Sequence, residues 1–211
     1  MKTTDDALLI AQMAMKLGAA QIEDELRQAV ALVVALRPAV IVEIGCLTGG
    51  TLYAWRQACE RVYGITLTEN YKYLGGDVQH LESHGAVVHC GDSHDSGSRE
   101  WLLGQLDGSP VDVLVIDADH RFDAVKQDLM TYAPLVKSGG VILIHDVLLR
   151  PANFGDDEFQ VWRLWDQLQE CCDTSVIGTE VGWGVIRVRP DDDFAALASG
   201  MKFAEPGTIP A

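Results

Sequence analysis

Val40-Ile41-Val42-Glu43-Ile44-Gly45-Cys46-Leu47-Thr48-Gly49-Gly50-Thr51 is the stretch whose reading decides the fold. Its first five residues are β-branched apart from one glutamate. So short a run, apolar on both sets of alternating positions, predicts a strand buried on both faces, as in a parallel sheet covered by helices. The strand stops at Gly45, and a helix is expected over about 51–60. The intervening loop reads E-x-G-x-x-x-G-x-T, not the G-x-G-x-x-G of a dinucleotide-binding turn. Glycines here let the backbone approach a ligand and leave amides facing it.

The same alternation of short apolar runs and helical patterns continues outward. Ile22, Leu26, Val30, Val33 and Val34 mark one face of an upstream helix. Downstream, Arg61–Thr66, 86–90, Val111–Ile116 and 141–144 read as strands, the last entered through a Ser138-Gly139-Gly140 turn. A polar helix is expected over 71–84. Another carries Phe122, Val125, Leu129 and Tyr132 on its core face, and a third carries Val161, Leu164, Trp165, Leu168 and Cys172 at helical spacing. Residues 175–177 and 184–188 suit an antiparallel pair. The expectation is one α/β domain over 1–211, with N-terminal helices over 1–36, a core over 37–189 and a tail over 190–211 that frays from Pro206. Its sheet is doubly wound, mostly parallel, of about seven strands with an antiparallel C-terminal strand and helices on both faces.

Composition narrows the partners. Sixteen basic residues against 31 acidic ones give a formal charge of −15 and no basic patch, which disfavours a nucleic-acid partner. No 18-residue apolar window exists and the N-terminus lacks the pattern of a signal peptide, so a cytoplasmic chain with no membrane partner is expected. Five cysteines with no Cys-x-x-Cys pair argue against a zinc knuckle or a disulfide framework, and Cys171-Cys172 reads as packing.

In open parallel sheets ligands bind beyond the carboxyl ends of the strands, and here those ends are unusually polar. Strand three runs into Gly91-Asp92-Ser93-His94-Asp95, strand four into Asp117-Ala118-Asp119-His120, and strand five into His145-Asp146-Val147. Asp117, His145 and Asp146 fall at adjacent strand ends. Two carboxylates and an imidazole can hold a divalent cation, either Mg2+ or an ion with more taste for nitrogen, such as manganese, iron or zinc. The alternative is that Asp117 contacts a cofactor while His145 and Asp146 bond to loop backbone. Imidazole also suits proton abstraction near neutral pH.

In this order the motifs resemble the Rossmann-like class I S-adenosylmethionine-dependent methyltransferases. The Asp117-Ala118-Asp119-His120 and Ser138-Gly139-Gly140…His145-Asp146 segments resemble a small-molecule O-methyltransferase branch. That branch includes sugar and macrolide methyltransferases and the cephalosporin hydroxylase-like proteins, and the likeness runs from about Gln21 to Val188. It implies that Gly45, Gly49 and Thr51 surround the methionine part of the cofactor, with Glu43 receiving its amino group or organising the loop. Gly91, Asp92 and Ser93 would meet adenine. Thr66 stands where the family usually has an acidic residue for both ribose hydroxyls; Glu69 is the nearest substitute.

By the same resemblance, the offset of His120 from Asp117 implies a general base, with His145 as a ligand or second base. Trp162, Trp165 and Trp183 would either wall an acceptor pocket or pack in the core, and Arg121 would cap a helix or pair with Asp123 or Asp128. The expected function is divalent-metal-assisted O-methylation of a sugar or secondary-metabolite hydroxyl. Two alternatives are a non-catalytic cofactor-binding accessory protein and a nicotinamide-dependent oxidoreductase. The latter lacks G-x-G-x-x-G and a Tyr-x-x-x-Lys pair. A homo-oligomer is common for such folds, but nothing in the sequence fixes one.

Overall fold

The structure is a computed structural model that describes residues 4–67, 82, 85–154 and 159–194. The helix expected over 71–84, Glu69 and the terminal tail lie mostly or wholly outside them. At the centre is β1 (Val40–Ile44), buried at all five positions. It pairs in parallel with β2 (Arg61–Thr66) on one side and β4 (Val111–Ile116) on the other. β3 (Val87–Cys90) extends one edge in parallel, and β5 (Val136–His145) extends the other. β7 (Trp183–Arg187) then runs antiparallel to β5, and β6 (Asp173–Ile177) antiparallel to β7. The order β3-β2-β1-β4-β5-β7-β6 makes a seven-stranded sheet whose winding reverses between β1 and β4.

The period-2 alternation divides the strands between two cores. Ile41, Val62, Val113, Val115, Val141 and Leu143 pack beneath α1 (Ala7–Lys16), α2 (Glu23–Leu36) and α3 (Gly50–Ala58). Val40, Val42, Ile44, Leu114, Ile116 and Ile142 face the opposite layer of α4 (Ser96–Leu106), α5 (Phe122–Tyr132) and α7 (Val161–Cys171). Each such aliphatic side chain stabilises the fold by about 1.5–3 kcal/mol on burial. α2 carries Glu23, Asp24 and Glu25 in its first turn, where the helix dipole favours acids. It ends on Arg37 in the left-handed conformation just before Pro38.

Two local differences from the sequence reading have physical causes. Ser138-Gly139-Gly140 is no turn before the strand: β5 begins at Val136 and runs through it as a bulge, with a register shift opposite Val111 and Val113. Gly139 supplies the positive φ of 77°, and its N–H donates to the Val188 carbonyl at 2.8 Å, so the bulge stays in the hydrogen-bond network. A short α6 (Pro151–Phe154) also follows β5, where no helix was expected. Among the described residues, no helix is long and apolar enough to cross a membrane.

Candidate active site

A cleft of about 770 Å³ opens at the carboxyl ends of the parallel strands, where the winding reverses. Register sets its floor. Ile44 pairs with both Ile65 and Ile116, and Ile116 pairs with Ile144, so the residues that follow these strands emerge side by side. The loops after β1 and β4 touch: a Cβ at Gly45 would lie 2.0 Å from the Asp117 carbonyl oxygen, and Gly45 has φ +86°. Only glycine fits there.

Gly45, Cys46, Leu47, Thr48, Gly50 and Thr51 form the wall from the β1 loop. Gly49 (φ +82°) instead caps α3, and Glu43 lies behind the loop, off the cleft wall. Glu43 is fully buried and accepts a 2.9 Å hydrogen bond from the Trp55 indole. Burial pushes its pKa up to about 8, against the opposing pull of the Trp55 N–H and the Thr51 hydroxyl. Thr66, buried at the end of β2, lines the adjoining wall.

Gly91, Asp92, Ser93 and His94 line another part. Their turn is tied to α5. Ser93 Oγ donates to Asp128 Oδ1 at 2.7 Å, and the Tyr132 hydroxyl donates to the Ser93 carbonyl at 2.7 Å. His94 Nε2 lies 3.3 Å from Asp128 Oδ1 and 3.2 Å from the Ala124 carbonyl, so that nitrogen carries a proton. The Asp128 bond raises the His94 pKa above its ordinary value.

Asp117, His120, His145 and Asp146 meet on the floor. His120 Nε2 is 2.9 Å from Asp146 Oδ2 and 3.9 Å from Asp117 Oδ1. His145 Nδ1 is 3.2 Å from Asp117 Oδ1 and 3.3 Å from Asp146 Oδ1. Burial lowers the pKa of each histidine, but the two carboxylates outweigh it. They raise His120 above its usual value and His145 to about 10. Burial also opposes ionisation of Asp146, yet the two imidazoles hold it well below the usual carboxylate range. Ligand atoms of Asp117, His120 and Asp146 all lie within 4.8 Å of one another. The His120 ring packs on Phe159, with centroids 4.6 Å apart.

Some site residues escaped the sequence reading. Gln21, in the α1–α2 connection, donates from Nε2 to Asp117 Oδ2 at 2.7 Å and lines the cleft. Its only signal was a polar residue in a loop, since the contact spans 96 positions. Val181 closes another side. The β6–β7 loop that carries it is held by Glu25, whose buried carboxylate accepts from the N–H groups of Thr179 (2.8 Å), Glu180 (2.7 Å) and Gly182 (2.9 Å).

The structure also decides between two pairs of alternatives. Arg121 is the N-cap residue of α5, with no side-chain cap bond, and its guanidinium pairs with Asp119, not Asp123 or Asp128, because it folds back over its own loop at 3.0 Å while Asp128 is occupied inside. None of the three tryptophans lines the cleft. Trp165 and Trp183 are buried in the core, Trp183 against His145, and the Trp162 ring carries the guanidinium groups of Arg150 and Arg163 at 4.8 and 5.0 Å from its centroid. Cys171 and Cys172 are free thiols beside the α7 core.

A family model described as a methyltransferase domain matches residues 42–147, half of the chain. It favours the methyltransferase reading over the nicotinamide one. Uncharacterized protein y4gI of Sinorhizobium fredii is 28% identical over 147 residues, which are 65% of this chain and 16% of that protein. The chain therefore spans about one sixth of the length of the curated relative it matches. Among solved structures it is similar to the O-methyltransferase TomG of Streptomyces achromogenes, involved in tomaymycin synthesis and in complex with SAM. The TM-score is 0.63 at 19% identity, over 88% of this chain and 90% of that one. An O-methyltransferase from Bacillus cereus in complex with SAH gives 0.60 at 16% identity, over 87% and 90%. MycE from the mycinamycin biosynthetic pathway, in complex with Mg, SAH and mycinamycin VI, gives 0.61 at 16%, over 89% and 56%. The chain belongs to the methyltransferase-domain family, and its fold is that of the class I S-adenosylmethionine-dependent methyltransferases.

Proposed function

We propose that the chain transfers a methyl group from S-adenosylmethionine to a hydroxyl oxygen of a small molecule, such as a sugar or secondary metabolite, with help from a divalent cation. The observation that carries this reading is the meeting of Asp117, His120, His145 and Asp146 beside the Gly45 loop in one cleft. Methyl transfer to oxygen requires an acceptor hydroxyl held close to the methyl carbon while it loses its proton. The donor supplies an electrophilic sulfonium methyl.

In this reading Gly45, Thr51, Thr66, Gly91, Asp92, Ser93 and Asp117 contact the donor, while Gly49 and Glu43 shape the β1 loop from behind. Thr66 offers one hydroxyl to the ribose in place of a carboxylate. His120 is the base. Its Nε2–H donates to Asp146, which leaves the lone pair of the neutral ring at Nδ1 to accept the acceptor's proton. The same carboxylate stabilises the imidazolium that results.

The donor set fits a divalent cation. Asp117 and Asp146 would hold it with His145 Nδ1, and His120 Nε2 is the competing nitrogen donor. Nitrogen in the set favours manganese, iron or zinc over magnesium. When bound, the cation supplies Lewis acidity that lowers the pKa of the acceptor hydroxyl.

The test is calorimetric titration with S-adenosylhomocysteine and with Mn2+, followed by transfer of labelled methyl to a panel of sugar and phenolic acceptors, with and without chelator. Binding of both and chelator-sensitive transfer are expected. Absence of any heat with S-adenosylhomocysteine would sink the donor reading. Binding without transfer to any acceptor would favour an accessory role. Mn2+ binding that survives Asp117→Ala would remove the cation from this site, and His145→Asn against His120→Asn identifies its nitrogen ligand.

A further inference from the structure

Asp128 is an expensive residue to place where it sits. It lies on the inner face of α5 among Val125, Leu129 and Tyr132, and its side chain is fully buried. A carboxylate taken out of water is costly unless its surroundings use it. Here one oxygen, Oδ1, takes both the Ser93 hydroxyl and the His94 imidazole, and Oδ2 has no partner among the described residues. The arrangement ties the turn after β3 to α5. Its consequences lie in the turn after β3, which lines the cleft.

A serine hydroxyl has one proton and two lone pairs. The Ser93 proton is committed to Asp128 at 2.7 Å, so only lone pairs remain for the cleft. Asp92 adds a carboxylate at the same edge, with Oδ1 accepting from the His94 amide at 2.9 Å. The Nε2–H of His94 is likewise turned toward Asp128 and the Ala124 carbonyl. The Ser93 hydroxyl and the Asp92 carboxylate at this end of the cleft therefore present acceptors to a ligand, and for Ser93 the helix behind it dictates that polarity.

We infer that Asp128 is a positioning residue that makes Ser93 an acceptor-only contact and so selects a purine with a 6-amino group over one with a 6-oxo group. The inference rests on the methyl-donor reading above. An exocyclic amine donates to the waiting lone pairs. A 6-oxo group sets lone pair against lone pair, and desolvated polar groups left without a partner are what give such sites their discrimination.

The experiment measures affinity of the full chain for S-adenosylhomocysteine and S-inosylhomocysteine by calorimetry, in the wild type, Asp128→Leu and Ser93→Ala. The wild type is expected to prefer the adenosyl compound by about tenfold or more, the worth of one such hydrogen bond. Asp128→Leu frees the Ser93 proton, so its preference falls below about threefold, and Ser93→Ala narrows the ratio similarly. A wild type that binds both equally overturns the inference. So does a folded Asp128→Leu that keeps the wild-type ratio. Should Asp128→Leu fail to fold, Ser93→Ala decides, and an unchanged ratio there overturns it. A wild type that binds neither compound strikes the methyl-donor reading itself, which is a separate result. A merely structural Asp128 would weaken both ligands together and leave their ratio alone.

Discussion

His120 Nε2 stands 2.9 Å from Asp146 Oδ2, and Asp146 holds that position with a backbone φ of +64°. Left-handed backbone is uncommon for a residue other than glycine and costs on the order of 1–3 kcal/mol, held in place by surrounding contacts. Here the contacts are to His120 and His145, which bracket both carboxylate oxygens.

That pairing fixes a pH profile. His120 must be neutral to accept a proton, and its pKa is raised above the ordinary 6.5. Methyl transfer should therefore rise with pH through a midpoint above 6.5. Asp146→Asn should move the midpoint down, and His120→Ala should cut kcat by about 10²–10⁴. Rate–pH profiles check all three; an unshifted midpoint in Asp146→Asn would remove the carboxylate from the role.

Glu43 gives a stability prediction of definite sign. Its folded pKa is raised from 4.5 to about 8, chiefly by burial. The folded state thus favours the protonated form, so this stabilisation is complete below about 4.5 and is lost as pH rises through about 8. Glu43→Gln should flatten the dependence and exceed the wild-type Tm at pH 9 by on the order of 5 °C. Thermal melts from pH 5 to pH 9 measure it, and parallel curves would refute it.

Gly45→Ala tests the contact between loops. The new Cβ would meet the Asp117 carbonyl oxygen at 2.0 Å on a backbone of φ +86°. Destabilisation of at least about 2 kcal/mol is expected, with loss of S-adenosylhomocysteine binding. Denaturant unfolding and calorimetry report the two effects. A variant with wild-type values for both would mean the loops separate freely.

Glu25 ties α2 to the loop bearing Val181 through three backbone N–H groups. Glu25→Ala should cost about 3 kcal/mol by stranding those donors, and Glu25→Gln less. Amide exchange at Thr179, Glu180 and Gly182 should accelerate in the alanine variant. Protection equal to wild type would show that the loop holds itself.

The sequence alone determined that the sheet is mostly parallel and buried, and where most of its parallel strands end at their carboxyl edge. Runs such as Val40–Ile44 and Val111–Ile116 declare burial on both faces by composition, and the polar residues after them fall at the ligand edge by a rule of topology. Adjacency of Asp117, His145 and Asp146 followed from that rule, because β4 and β5 are neighbours in register. Tertiary structure decided what local pattern does not carry. Gln21 reaches Asp117 across 96 positions, Glu25 reaches Gly182 across 157, and Asp128 reaches Ser93 across 35. Such contacts depend on how helices seat on the sheet and which rotamer fills the space between them. The same holds for Ser138-Gly139-Gly140, which local chemistry permits as either a turn or a bulge, and which pairing with Val188 makes a bulge.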